Sequence, residues 1–269
     1  MWRYTSVLSV FFVVVSACFG CRPEGAESDK PVLIVFAAAS IGEAIRDAAD
    51  VFEREHAVRI EISSAGSGLL RRQIETGAGC DVFVSADALH MDALAAGGRL
   101  EPGTRRDIAL NTLVVVTRGP SDERWAGPEP LADARVERVA LGNPAYVPAG
   151  RYAKQALRRR GLWRSVEPKA VFGDNVRLVL RQMLAGGVDW AVVYQSDAAA
   201  AEACHIVYAF DAAAHTPIRY PAAMIRRVPA AAPQAELFCR FLGGAAARRV
   251  LRSHGFAVPE AGSSGDVDD

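Results

Sequence analysis

Four short stretches of this chain place neutral hydrogen-bond donors where helices should begin. Ser40 follows the apolar run Pro31–Phe36 and stands three residues before Glu43, the spacing of a capping box that satisfies backbone donors at a helix start. Ser67 lies between Gly66 and Gly68 after a second strand-like run, and Pro148-Ala149-Gly150 and Asp174-Asn175-Val176 each open an amphipathic stretch. The first turn of a helix leaves N–H groups without intrahelical partners, and its dipole favours negative charge. Two hydroxyls and the N–H groups near Ala149 and Val176 would make a set of donors with no fixed positive charge. Such a set suits a small, symmetric, fully ionised anion. A ligand that still carries a proton requires an acceptor, and a carboxylate or phosphate ester more usually recruits an arginine fork.

The elements that must position these donors alternate between strand and helix patterns, which argues an α/β fold with a mainly parallel sheet. Strands are expected at 32–36, 58–63, 81–85, 136–141 and 188–194, with helices at 41–55, from Ser67 to about Glu75, 88–96, up to about Arg160, and 176–185. Tyr220–Val228 and Ala235–Leu251 read as a strand and a closing helix. In open α/β sheets ligands sit beyond the carboxyl ends of strands, where such loops converge. The β-branched run Ile108–Thr117 is longer than one buried strand requires, and Ile206–Phe210 is a second candidate for a connection between two lobes. The division that follows puts 31–111 and 208–257 in one lobe and 112–207 in the other, two halves joined by two crossing strands as a hinge.

With 31 Lys+Arg against 31 Asp+Glu, no global field draws the chain to nucleic acid or an acidic membrane, so an anion must be attracted locally. The first residues read as an export signal: Arg3, then the apolar run Val7–Val15, too short to span a bilayer. Val15-Ser16-Ala17-Cys18 resembles a bacterial lipobox, with Cys18 the lipidated residue and Cys21 the alternative. Residues 1–21 are thus a signal and lipobox segment, 22–30 a tether and 258–269 a polar tail. Cys80, Cys204 and Cys239 sit in apolar sequence with no metal-ligand spacing, and at most one disulfide can form among them. The 5 histidines show no ligand spacing either, so no metal site and no cofactor are expected.

Several motifs resemble the periplasmic molybdate-binding proteins of ABC importers. They are Ala37-Ala38-Ala39-Ser40, Gly66-Ser67-Gly68 before Arg72-Gln73-Ile74-Glu75, and Asp81-Val82-Phe83-Val84-Ser85-Ala86-Asp87. Asn143-Pro144, Val147-Pro148-Ala149-Gly150-Arg151-Tyr152-Ala153 and Val193-Tyr194-Gln195-Ser196-Asp197-Ala198 complete the series, which spans Val32 to Phe256. The resemblance implies the two-lobed clamshell of class II periplasmic binding proteins. It also implies an oxyanion held by Ser40, Ser67, Ala149, Val176 and Tyr194, with molybdate or tungstate as ligand. Tyr194 enters through the resemblance alone, because a tyrosine ending a strand is more often packing. Gly68 replaces a hydroxyl residue often seen beside the second serine, and Gln195 a small residue after the tyrosine. The resemblance further implies a monomer that hands its cargo to an ABC permease and its ATPase, with membrane attachment through the N-terminal lipid.

Two other readings are open to test. Arg71, Arg72, Arg151 and Arg177 flank the proposed loops, and one of them inside the pocket would suit sulfate, phosphate or an organic anion. A serine hydrolase requires a base beside Ser67, and the chain has no G-x-S-x-G elbow.

Overall fold

A computed structural model describes residues 30–119, 125–227 and 233–260. The expected signal segment, Cys18, Cys21, nearly all of the tether and residues 261–269 of the tail lie outside them. The chain begins with β1 (Val32–Ala38), α1 (Gly42–Glu55), β2 (Arg59–Ala65), α2 (Ser67–Glu75), β3 (Val82–Val84), α3 (Ala88–Ala96) and β4 (Arg106–Leu110). It continues with β5 (Leu113–Arg118), β6 (Val139–Gly142), α4 (Pro148–Arg159), α5 (Trp163–Val166), β7 (Ala170–Gly173), α6 (Val176–Leu184), β8 (Trp190–Tyr194), α7 (Gln195–Ala199) and β9 (Cys204–Ala209). β10 (Arg219–Met224), α8 (Pro233–Leu242) and α9 (Ala245–Ser253) complete it.

The strands form two five-stranded sheets, ordered β2-β1-β3-β10-β4 and β7-β6-β8-β5-β9. β1 pairs in parallel with β2 and β3, and β6 with β7 and β8, as strands joined by crossover helices should. Each sheet has one reversed strand in its fourth position, β10 in the first and β5 in the second. In both cases the reversed strand is the first that the chain lays down after passing from the other sheet.

The run Ile108–Thr117 makes the first passage, but not as one strand. It breaks at Asn111-Thr112, so that β4 belongs to the first sheet and β5 to the second. The return is looser: β9 stays within the second sheet to Ala209, and Phe210–Ile218, with a short 3-10 turn at Ala212–Ala214, leads to β10.

α1 shows how the sequence drives packing. Ala44, Ile45, Ala48, Ala49 and Phe52 recur at helical spacing and are buried, while Arg46, Asp47 and Asp50 face out. Phe52 meets Phe238 and Phe241 of α8 at ring-centroid distances of 5.2 Å each, a burial that contributes roughly 2–3 kcal/mol. The single closing helix expected over 235–251 is two helices, α8 and α9, separated at Gly243-Gly244. Glycine lacks the side chain that would favour continuing the helix there. α5 and α7 are further helices that the strand-and-helix reading lacked. Cys80, Cys204 and Cys239 are all free thiols, and burial pushes the Cys80 and Cys239 thiols far above their ordinary range.

No helix among the described residues is long and apolar enough to cross a membrane, and no cluster of three His, Cys, Asp or Glu among them could hold a metal ion.

Candidate anion site between two lobes

The five residues expected to bind an anion come together. Ser40, Ser67, Ala149, Val176 and Tyr194 all line one small cavity, alongside Ala38, Ala39, Gly66 and Ala86 of the first lobe and Val147, Pro148 and Asn175 of the second. No charged side chain among the described residues contributes to that lining.

Ser40 reaches the cavity in a way the capping reading did not foresee. Ile41, not Ser40, occupies the N-cap of α1, and it makes no side-chain cap. The Ile41 N–H donates to Ala38 O at 3.0 Å, a turn that carries Ser40 one residue short of the helix. Its hydroxyl instead lies 3.0 Å from the Tyr220 hydroxyl, and Glu43 turns away to meet Arg177 at 3.1 Å. The capping box is therefore absent. Ser67 is the first residue of α2, and its Oγ accepts from the Ala86 N–H at 3.0 Å. Pro148 opens α4 after an N-cap, Val147, that has no side-chain cap, leaving the Ala149 N–H at the second helical position without an intrahelical acceptor. Gly150 is obligatory there, since a Cβ would stand 1.8 Å from Gly142 O.

α6 is capped by Asn175, whose Oδ1 accepts from the Leu178 N–H at 3.0 Å. Asp174, one residue earlier and also of a type that caps helices, accepts instead from the Tyr146 hydroxyl at 2.6 Å. Val176 is consequently the first residue of α6, with its N–H free of the cap. Tyr194 ends β8 and is 1% exposed, yet its hydroxyl has no hydrogen-bond partner among the described residues. Burial holds its phenol pKa well above the ordinary value, so the group stays a neutral donor.

The lobes touch around this cavity. The Gly68 N–H donates to Tyr146 O at 3.2 Å, and a Cβ on Gly68 would approach that oxygen to 2.5 Å. Gly66 would likewise place a Cβ 2.7 Å from Asp174 O. Gly66 has φ −61°, so the close approach of the opposite lobe, rather than a tight turn, explains that glycine. Gly68→Ala is therefore expected to weaken anion capture about tenfold, because overpacking of this size costs on the order of 1–3 kcal/mol and only the closed arrangement feels it. An unchanged affinity by titration calorimetry would refute a closed-state role for Gly68.

None of the four flanking arginines enters the cavity. Arg71 pairs with Glu75 at 2.9 Å, and Arg72 lies over the Tyr146 ring with its guanidinium carbon 5.5 Å from the centroid. Arg151 pairs with the buried Asp87 carboxylate. Arg177 bridges Glu43 of α1 and Asp197 of α7, at 3.1 and 3.2 Å. Burial raises the Asp197 carboxyl to about 7, with Arg177 opposing the rise. Among the described residues no base is hydrogen-bonded to either cavity serine, whose partners are Tyr220 and the Ala86 N–H, so the arrangement lacks an activated nucleophile.

A sequence profile described as "Bacterial extracellular solute-binding protein" matches residues 33–257. The chain is 33% identical over 239 residues to the molybdate-binding protein ModA of Escherichia coli (strain K12), covering 86% of this chain and 91% of that one. The chain belongs to this ModA family of solute-binding proteins. A putative ABC transporter substrate-binding lipoprotein, YvgL of Bacillus subtilis (strain 168), is 32% identical over 92% of this chain and 94% of its own length. Among solved structures, the periplasmic molybdate-binding protein of Azotobacter vinelandii superposes with a TM-score of 0.76 at 26% identity, covering 85% of this chain and all of that one. Like its ModA relatives, the chain is a solute-binding protein and not an enzyme.

Proposed function

We propose that this protein captures molybdate, and also tungstate, in the cavity between its lobes and delivers it to the permease and ATPase of an ABC importer. In this reading Ser40, Ser67 and Tyr194 donate hydroxyl protons to the oxyanion, and the Ala149 and Val176 N–H groups complete the shell. The lobes would be 31–111 with 208–257 and 112–207. The protein would act as a monomer without a resident cofactor, held at the membrane by a lipid on Cys18, or on Cys21. The observation that carries the reading is a wholly buried tyrosine hydroxyl with no partner among the described residues, facing a cavity lined only by neutral groups. A buried hydroxyl left unsatisfied costs about 1–3 kcal/mol, which a bound oxygen acceptor would offset. The contacts that close the lobes favour the liganded state only to the extent that the anion bridges both sides.

Calorimetric titration of the purified chain with molybdate, tungstate, sulfate and phosphate tests this. One-to-one binding of the first two, with sulfate and phosphate far weaker, is the expected result. Preferential binding of sulfate or phosphate would overturn the assigned ligand while leaving the fold and family untouched.

A further inference from the structure

The donor character of Ser40 is not intrinsic to a serine, since a hydroxyl accepts as readily as it donates. What fixes its direction lies outside the cavity. Asn111, on the short passage between β4 and β5, has its side-chain oxygen held by two backbone donors, the Thr112 N–H at 2.9 Å and the Ser196 N–H at 3.4 Å. The amide nitrogen must then face the other way, where it donates to Ser196 Oγ at 2.8 Å and to the Tyr220 hydroxyl oxygen at 3.3 Å. Tyr220 is fully buried, and burial keeps its phenol protonated. Its oxygen accepts from the Asn111 amide, so among its hydrogen-bond partners in the described residues only Ser40 Oγ, 3.0 Å away, can take its proton. Ser40 thereby accepts from Tyr220 and has its own proton left for the cavity. Ser67 is fixed in the same sense, because its oxygen accepts from the Ala86 N–H.

We infer that Asn111 and Tyr220 form a positioning relay that forces Ser40 to act as a donor, so that the cavity favours fully deprotonated oxyanions over those that carry a proton. The inference rests on the proposed oxyanion function and adds two residues outside the cavity, Asn111 and Tyr220, that set the direction of one of its donors. Chains of hydrogen bonds that run in one direction polarise one another. The chain from the Asn111 amide through Tyr220 to Ser40 ends with its proton directed at the ligand. A protonated oxyanion such as phosphate near neutral pH would turn an O–H toward donors, and wherever that O–H faced Ser40 or Ser67 a hydrogen bond to the ligand would be lost.

The decisive variant is Asn111→Asp. The carboxylate keeps the oxygen that accepts from Thr112 and Ser196 but replaces the donor facing Tyr220 with an acceptor. Tyr220 then donates to the new carboxylate, Ser40 donates to Tyr220, and Ser40 presents a lone pair to the cavity. Molybdate and phosphate affinities are measured for the wild-type chain, Asn111→Asp, Tyr220→Phe and each change in a Ser40→Ala background. Asn111→Asp should weaken molybdate at least tenfold and lower the molybdate-to-phosphate ratio by at least as much. Tyr220→Phe, which releases Ser40 without reversing it, should lower the ratio less. In the Ser40→Ala background both changes should lose their effect, because there is no hydroxyl left to orient. If the new carboxylate acted only by repelling the anion, the Asn111→Asp loss would persist there, and the relay would be refuted. Wild-type affinities in both single variants would refute it equally. A wild-type chain that binds none of these anions would instead overturn the proposed function itself.

Discussion

Replacing Arg177 by Met is expected to destabilise the protein by about 3 kcal/mol at pH 8 and by about 2 kcal/mol at pH 5.5. Arg177 is the ion-pair partner of Asp197, whose side chain is wholly buried, while the arginine keeps 26% of its side chain exposed. That exposure places the expectation at the low end of the range for breaking a buried pair. The sign of the pH dependence follows from the Asp197 carboxyl, which burial raises to about 7 against the arginine's pull. An aspartate in the unfolded chain titrates near ~3.9. Because the folded value is the higher one, the folded state holds the proton more tightly. The associated stability is present at low pH and is lost as pH rises through about 7. Without Arg177 the folded value climbs further, so the penalty for ionising Asp197 grows above neutrality and fades in acid, where the carboxyl is neutral in either protein. Urea unfolding of both proteins at the two pH values measures it. A loss that is equal at both would show that the arginine contributes packing and not charge compensation.

Tyr194→Phe should move stability and binding in opposite directions. The hydroxyl it removes is buried without a hydrogen-bond partner among the described residues, so the ligand-free protein should gain about 1 kcal/mol. The same change takes a charge-assisted donor from the oxyanion, which weakens binding by about 1.5–3 kcal/mol, or roughly 10- to 150-fold. A hydroxyl that served the fold would instead lose stability on removal and leave affinity alone. Chemical denaturation without ligand and calorimetry with molybdate separate the two cases. A destabilised ligand-free variant with unchanged affinity would remove Tyr194 from the proposed anion shell.

The alternating strand and helix patterns were legible because each depends on neighbours in sequence. The positions of Ser40, Ser67, Ala149 and Val176 at strand-to-helix turns were legible for the same reason, and the structure brings all four to one cavity. What local patterns could not supply were contacts made from far along the chain. Ser40 and Glu43 have capping-box spacing, but Tyr220 takes the serine and Arg177 the glutamate, from 180 and 134 residues away. No local pattern explains Gly66 and Gly68, which the carbonyls of Asp174 and Tyr146 require to be small. Asp174 and Asn175 are both competent caps, and only the Tyr146 hydroxyl, which engages Asp174, separates them. Tyr194 carried no local signal, since its meaning lies in a partner its hydroxyl lacks. Asn111 carried none either: it falls inside a β-branched run that reads as one strand and breaks where the chain changes sheets.

That break has a mechanical consequence. Two residues, Asn111 and Thr112, join the sheets on one side, and nine, Phe210 to Ile218, join them on the other. Two leaves fastened by one short strap and one long one can swing only about the short strap, while the long one takes up the slack. The pivot of any motion between the sheets must then lie at Asn111, whose side chain is bonded to Tyr220 in a strand of the first sheet and to Ser196 in the helix that follows β8 of the second.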